Sequence, residues 1–246
     1  MRSGSLTCGR PEDRKVGMKA YLEPEEVRRL EEAAEYFRDR LLIRVLFRLG
    51  CRVSEALNIG VEDIDFERGT VRIRHLKERI RLHCPGCDTR LSRTARFCPG
   101  CGQRVERAVR RAVESRRMRV LPVDPETLEM LREYIERGGP VSRDGKQVLF
   151  EINRKRAWQI VKECAERAGL PRLVNPETGR EHYISPHKLR DAFAVHAVKV
   201  DDSGDGLRLL QEHLGHKSIA TTMKYRKLSG REQREWYEKL WEGKHE

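Results

Sequence analysis

The last third of the chain collects residue types suited to phosphoryl chemistry. His187 and Arg190 share a His-Lys-Leu-Arg run, His216 closes a Leu-Gly-His run, and Tyr225 follows it. Arg52 and Lys77 stand far upstream. A tyrosine hydroxyl attacks phosphorus when one group takes its proton and others hold the phosphate. Guanidinium forks grip non-bridging phosphate oxygens through paired N–H bonds, and imidazoles exchange protons near neutral pH. These types together can break a nucleic-acid strand without a metal or an attacking water.

A second constellation is made of thiols. Of the seven cysteines, four fall into two Cys-Pro-Gly-Cys knuckles, Cys84 with Cys87 and Cys98 with Cys101. Cys8, Cys51 and Cys164 stand alone. Paired knuckles at this separation, in a basic chain without a secretion signal, predict a structural Zn²⁺ site rather than two disulfides. Gly86 and Gly100 ease the tight turns, and the metal would fold a stretch too short to build its own core.

The bulk numbers point to a polyanionic partner. The chain has 246 residues, 38% hydrophobic and 37% charged, with a net charge of +12. Such a surplus favours nucleic acid over a membrane surface. No apolar run reaches the roughly 18 residues of a membrane span, and residues 1–19 lack an apolar signal core, which predicts a cytoplasmic protein. Between Glu78 and Arg119 the sequence has twelve arginines and four acids. Within that stretch Arg79, Arg81, Arg93, Arg96, Arg110 and Arg111 are candidates for phosphate contact.

Mostly helical elements must position these groups. Residues 1–19 read as a flexible arm. Pro24 opens a helix with Val27, Leu30, Ala34 and Phe37 on one face. A second helix carries Leu41, Leu42, Val45, Leu46 and Leu49 and ends at Gly50, just before Arg52. Residues 70–77 alternate like a strand, and 117–123 are its natural partner. About forty residues intervene where a hairpin needs only a few, so 79–116 read as a zinc-ribbon insertion at the hairpin. Asp124-Pro125 starts a helix burying Leu128, Leu131 and Ile135. Another runs from Asn153 to Ala168. Ser185-Pro186 caps one that carries His187 and Arg190 on one face. Residues 207–214 form a short helix, Ser218 caps the next, and Tyr225 lies near its end. Residues 231–239 predict a tail helix, with Trp236, Tyr237, Leu240 and Trp241 as an aromatic docking stripe. His182, His196 and His213 read as structural.

In this order the motifs resemble the tyrosine recombinase (phage integrase) family. Tyr21-Leu22-x-Pro-Glu-Glu-Val resembles the entry to its catalytic domain. Gly50-Cys51-Arg52-Val53-Ser54-Glu55-Ala56-Leu57 resembles its first arginine box, and Val61-Glu62-Asp63-Ile64-Asp65 the segment behind it. Lys77 sits where its hairpin lysine belongs. His187-Lys188-Leu189-Arg190 matches H-x-x-R, and the run from Leu214 to Tyr225 matches the second histidine box and the nucleophile. The resemblance covers about Tyr21 to Leu228 apart from the insertion. It implies an α+β, mostly α-helical catalytic fold over 20–246 with a small antiparallel hairpin.

It also implies roles. Tyr225 would form a 3′-phosphotyrosyl bond, Arg52 and Arg190 would clamp the phosphate, and Lys77 would protonate the leaving oxygen. His187 would assist proton transfer, His216 would hydrogen-bond the phosphate, and Glu55 would orient the cations. Neither ATP nor a catalytic metal is implied. The partners would be double-stranded DNA and further copies of the chain, as a dimer or tetramer on DNA. The sequence departs from the family in three places. Asp191 stands where the family more often has histidine or Asp-Thr-like variants. The hairpin insertion is larger. Only residues 1–19 precede the catalytic region, where the family usually has a DNA clamp, so the zinc ribbon or a separate clamp protein would replace it. Two alternatives share the parts: a type IB topoisomerase-like relaxation activity, and a non-catalytic zinc-dependent DNA-binding protein.

Overall fold

The computed structural model describes residues 19–143, 145–175, 178–226, 237–238 and 240–241; the side chains of 75–80 and 112–117 are outside that description. The predicted arm, apart from Lys19, and most of the predicted tail helix lie outside it too. In chain order come α1 (Pro24–Glu32), α2 (Phe37–Arg48), α3 (Val53–Ala56), β1 (Ile64–Asp65), β2 (Thr70–His83), β3 (Arg90–Leu91), β4 (Val109–Pro122) and α4 (Pro125–Glu136). Then follow β5 (Val141–Arg143), β6 (Lys146–Val148), α5 (Arg154–Arg167), β7 (Leu173–Val174), β8 (Glu181–His182), α6 (Pro186–Val200), α7 (Gly204–Leu214) and α8 (Ile219–Met223). A 3-10 turn, Lys224–Arg226, follows α8 directly.

α2 is the centre of the molecule. Leu41, Leu42, Ile43, Val45, Leu46 and Phe47 are all buried, so it is apolar nearly all round, as a core helix must be. It packs against α1, α4 and α6. The apolar period read through Ala34 and Phe37 crosses a break, because α1 stops at Glu32 and Phe37 opens α2. Both residues still pack on the same core, so the pattern persists where the helix does not. α4 is anchored by Thr127, Met130, Leu131 and Tyr134, while Leu128 and Ile135 are only half-buried at its rim. The polar Thr127 is buried because Arg44 of α2 donates to its hydroxyl at 2.9 Å and to Glu31 at 3.1 Å. A smaller apolar cluster joins α6 to α7 through Ala194, Val198, Leu207, Leu210 and Leu214, with Tyr225 packed against it.

The hairpin strands are longer than 70–77 and 117–123. β2 and β4 pair antiparallel without interruption from Thr70↔Pro122 to His83↔Val109. Ile80 and Leu82 fall on the face opposite Val71 and Ile73, so the apolar alternation read from the first residues changes side along the strand and does not reveal its full length. At the base, Val71, Ile73 and Leu121 join the main core. At the far end, Cys84, Leu91 and Cys98 form a separate small core. Among the described residues no helix is long and apolar enough to cross a membrane.

Candidate active site

The first arginine is placed by a glycine. Gly50 has φ +53°, and a Cβ there would collide with the Phe193 ring of α6. The chain turns at this point and α3 begins with Arg52 at its N-cap. Glu55, one turn on, accepts from the Arg52 backbone N–H at 2.9 Å and from its Nη1 at 3.0 Å. Arg119 of β4 donates Nη2 to the other Glu55 oxygen at 2.9 Å, and Arg190 Nη1 lies 4.0 Å from that same oxygen. Glu55 is buried. Three guanidiniums therefore surround one carboxylate, an excess of cation at the base of a cleft.

Arg190 is 3% exposed and is held by three of its five N–H groups. Its Nη1 donates to the Gly50 carbonyl at 2.6 Å, and its Nη2 to the Leu214 carbonyl at 2.8 Å and to His216 Nε2 at 3.2 Å. A guanidinium only donates, so Nε2 accepts, and the His216 proton sits on Nδ1, 3.0 Å from the Thr222 hydroxyl. Burial, then the charges of Arg190, Arg52 and Arg119, push His216 down to about 4. It is a neutral ring that props Arg190. Burial and the neighbouring Arg52 likewise push Arg190 downward, the strain of a cation kept among cations.

Tyr225 lies on the 3-10 turn with its ring stacked on His216, centroids 6.2 Å apart. Its hydroxyl donates to Asp191 Oδ1 at 3.0 Å. Burial and the Asp191 carboxylate hold that hydroxyl well above the usual tyrosine range. His187, three-quarters exposed, places Nε2 3.9 Å from the same Oδ1, and Lys188 Nζ is 3.8 Å from Oδ2. His187 and Arg190 thus share a helix face in part only: Arg190 reaches inward and His187 outward, and both line one cleft of about 500 Å³. Arg52, His216 and Tyr225 line it as well, together with Asp191 and Arg154. Lys77 lies on β2 opposite Ser115, and Arg79 opposite Val113; both side chains are outside the described set.

Two positions escaped the sequence reading. Arg119 shares a strand face with Leu121, and an arginine at an inward strand position was the available signal. Gly215, in the left-handed conformation that ends α7, was read only as a helix stop. A Cβ on it would also collide with Arg119 Nη1, so this glycine makes room for the third guanidinium. Cys51 is buried beside the site, its thiol pushed up to about 12 by burial, and is inert.

The four knuckle cysteines converge at the tip of the hairpin. Their sulfurs all lie within 4.8 Å of one another, with Cys84 to Cys101 at 3.7 Å and Cys87 to Cys98 at 3.4 Å. Tetrahedral Zn–S bonds of about 2.3 Å require sulfur separations of about 3.8 Å, so the set fits zinc. The Gly86 and Gly100 N–H groups each donate to a cysteine sulfur at 3.4 Å, which stabilises thiolates. Arg93, Arg96, Arg110 and Arg111 are exposed around this unit, and Arg81 is half-buried opposite Arg111. Arg111 pairs with Asp88 at 2.8 Å.

The model of the phage integrase family matches residues 20–97 and 102–232. The chain belongs to this family. Tyrosine recombinase XerD of Corynebacterium glutamicum is 27% identical over 215 residues, covering 85% of this chain and 53% of that protein. The chain thus spans about half the length of that curated relative. A crystal structure of XerA recombinase superposes with a TM-score of 0.60 at 22% identity, covering 91% of this chain and 66% of that one. XerH site-specific recombinase, bound to a palindromic difH substrate after cleavage, superposes at 0.59 and 22%, covering 92% of this chain and 54% of that one. At these identities the two structures establish the fold, which is that of a phage integrase family catalytic domain: mostly helical, with small antiparallel sheets.

Proposed function

We propose that this chain is a site-specific DNA recombinase that cleaves and rejoins strands through a 3′-phosphotyrosyl bond. One observation carries the reading: a tyrosine hydroxyl opens into the same cleft as Arg52 and Arg190, whose guanidiniums gather at one buried carboxylate. In this reading Tyr225 attacks the scissile phosphorus and frees a 5′-hydroxyl. Arg52 and Arg190 hold the non-bridging oxygens and balance the charge that builds on them. Lys77 protonates the leaving oxygen, His187 assists proton transfer at the tyrosine, and His216 holds Arg190 in place beside the phosphate. Glu55 fixes the direction of the guanidiniums. The bond energy stays in the phosphotyrosine, so no nucleotide or catalytic metal takes part.

The likeness to XerH, which is bound to its difH substrate, supports duplex DNA as the partner. Exchange between two duplexes needs protomers on each, so we expect a homo-oligomer on DNA, acting in the cytoplasm. The four cysteines would hold a structural Zn²⁺, and the exposed Arg93, Arg96 and Arg110 beside it would grip phosphates along the flank.

The test is covalent trapping. Wild type and Tyr225→Phe are incubated with nicked duplexes tiling the genomic neighbourhood of the coding sequence and quenched in detergent. Wild type should remain linked to DNA 3′ ends, and the phenylalanine variant should bind equally well without linking. Tight binding with no wild-type adduct on any duplex overturns the reading.

A further inference from the structure

The Tyr225 hydroxyl has a partner that the family resemblance did not supply. An ionised carboxylate only accepts, so the 3.0 Å bond to Asp191 Oδ1 is made with the tyrosine's own proton. His187 Nε2 approaches the same oxygen at 3.9 Å. Asp191 therefore bridges the exposed imidazole and the nucleophile.

We propose that Asp191 takes the Tyr225 proton as the hydroxyl attacks phosphorus, and that His187 acts on the tyrosine through Asp191 rather than directly. The proposal rests on the strand-transfer reading above and names a further catalytic residue for it. As the Tyr225 Oη–P bond forms, the O–H electron pair stays on Oη and the proton passes to Asp191 Oδ1. The P–O5′ bond breaks with its electron pair, and the 5′ oxygen takes a proton from the general acid, Lys77 in that reading. In rejoining, Asp191 returns its proton to Tyr225.

Three features of the site agree with this. A carboxylate that receives a hydroxyl proton during attack on phosphorus is the arrangement protein kinases use. The Tyr225 hydroxyl holds its proton firmly in its buried setting, so transfer has to accompany attack and needs an acceptor already in contact. The carboxylate's charge, which would oppose an incoming phosphate, is offset on its own helix by Lys188. Arg190 of the same helix and Arg52 and the neutral His216 of other elements face the tyrosine, and Arg154 and Lys224 line the same cleft.

Asp191→Asn tests the proposal, because the amide oxygen keeps the hydrogen bond but cannot take a proton. The side chain is 20% exposed, so the change leaves no buried charge unpaired. Single-turnover adduct formation is followed from pH 5 to 9 on a nicked duplex, and on one with a 5′-bridging sulfur, which leaves as a thiolate without protonation. We expect unchanged DNA affinity, a rate lower by roughly 10²–10⁴-fold, and a rate that climbs with hydroxide where wild type levels off. The sulfur duplex should not restore the variant, placing its defect at the nucleophile. A wild-type rate in Asp191→Asn, a defect that sulfur repairs, or a lowered rate with a wild-type pH profile would each overturn the assignment. No adduct from wild type on any duplex would instead overturn the strand-transfer reading, and this proposal with it.

Discussion

Glu55 accepts from Arg119 at 2.9 Å across 64 positions of sequence, joining α3 to the base of the β2–β4 hairpin. The bond makes the hairpin part of the wall that orients Arg52, which the same carboxylate holds at 3.0 Å.

Removing this carboxylate should cost more than one contact. Glu55→Ala leaves Arg119 and Arg190 as buried cations without their counter-charge. A loss of about 3–5 kcal/mol in stability is expected, read by urea denaturation. Arg119→Met keeps much of the volume; it should slow adduct formation by about 10–100-fold while DNA affinity stays within about twofold, because Arg52 loses the neighbour that fixes Glu55. Equal losses in binding and cleavage would argue that Arg119 contacts DNA instead.

Gly215 should tolerate no side chain. With φ +66° and the Arg119 guanidinium against it, Gly215→Ala combines backbone strain of about 1–2 kcal/mol with displacement of Arg119. A thermal melt should report the first effect and trapping assays the second. Gly138, which has φ +73° and open space around it, is the matched control: Gly138→Ala should cost stability without touching cleavage.

His216 gives the fold an acid limit. Its ordinary value of 6.5 drops to about 4 in the folded site, so between these pH values the unfolded chain binds a proton that the folded chain refuses. Stability from this group is therefore complete above about pH 6.5 and declines as pH falls toward 4. Melting temperatures at pH 7, 6 and 5 should fall more steeply in wild type than in His216→Gln. His213, also pushed down by burial, adds a decline of the same sign and remains in both proteins. Parallel curves would contradict the neutral-ring assignment.

Metal analysis by atomic emission should find about one zinc per chain, and Cys84→Ser should abolish it. Chelation should lower DNA affinity and flatten its dependence on salt as the arginines around the knuckles lose their fixed positions. Affinity and salt slope unchanged after zinc loss would assign the ribbon another role.

Much of this was legible because it is local. Helix starts at Pro24, Asn153 and Pro186, the stop at Gly215, and the knuckles each depend on a few adjacent residues. The resemblance to the phage integrase family brought Arg52, His187, Arg190, His216 and Tyr225 together as one candidate set. What the sequence concealed depends on partners distant in the chain. Arg119 is one of many arginines in its region until Glu55 is seen beside it. The spacing of His187 and Arg190 puts them on one side of α6, but not at one depth; side-chain direction turns Arg190 under Gly50 and leaves His187 at the rim. Asp191 looked like a mere departure from family habit, and only its bond to Tyr225 gives it a part in the chemistry.

The unbroken pairing from Thr70↔Pro122 to His83↔Val109 makes the hairpin a ruler. Fourteen residues of extended chain measure about 45 Å, and no bulge interrupts the pleat between cleft and knuckles. Deleting two residues from each strand would keep every face and draw the ribbon about 7 Å inward, close to two base steps along a duplex. Deleting one from each would turn the ribbon's arginines to the opposite side. The phase of the pleat, as well as the reach of the strands, thus sets where the ribbon sits relative to the cleft and which way its arginines face.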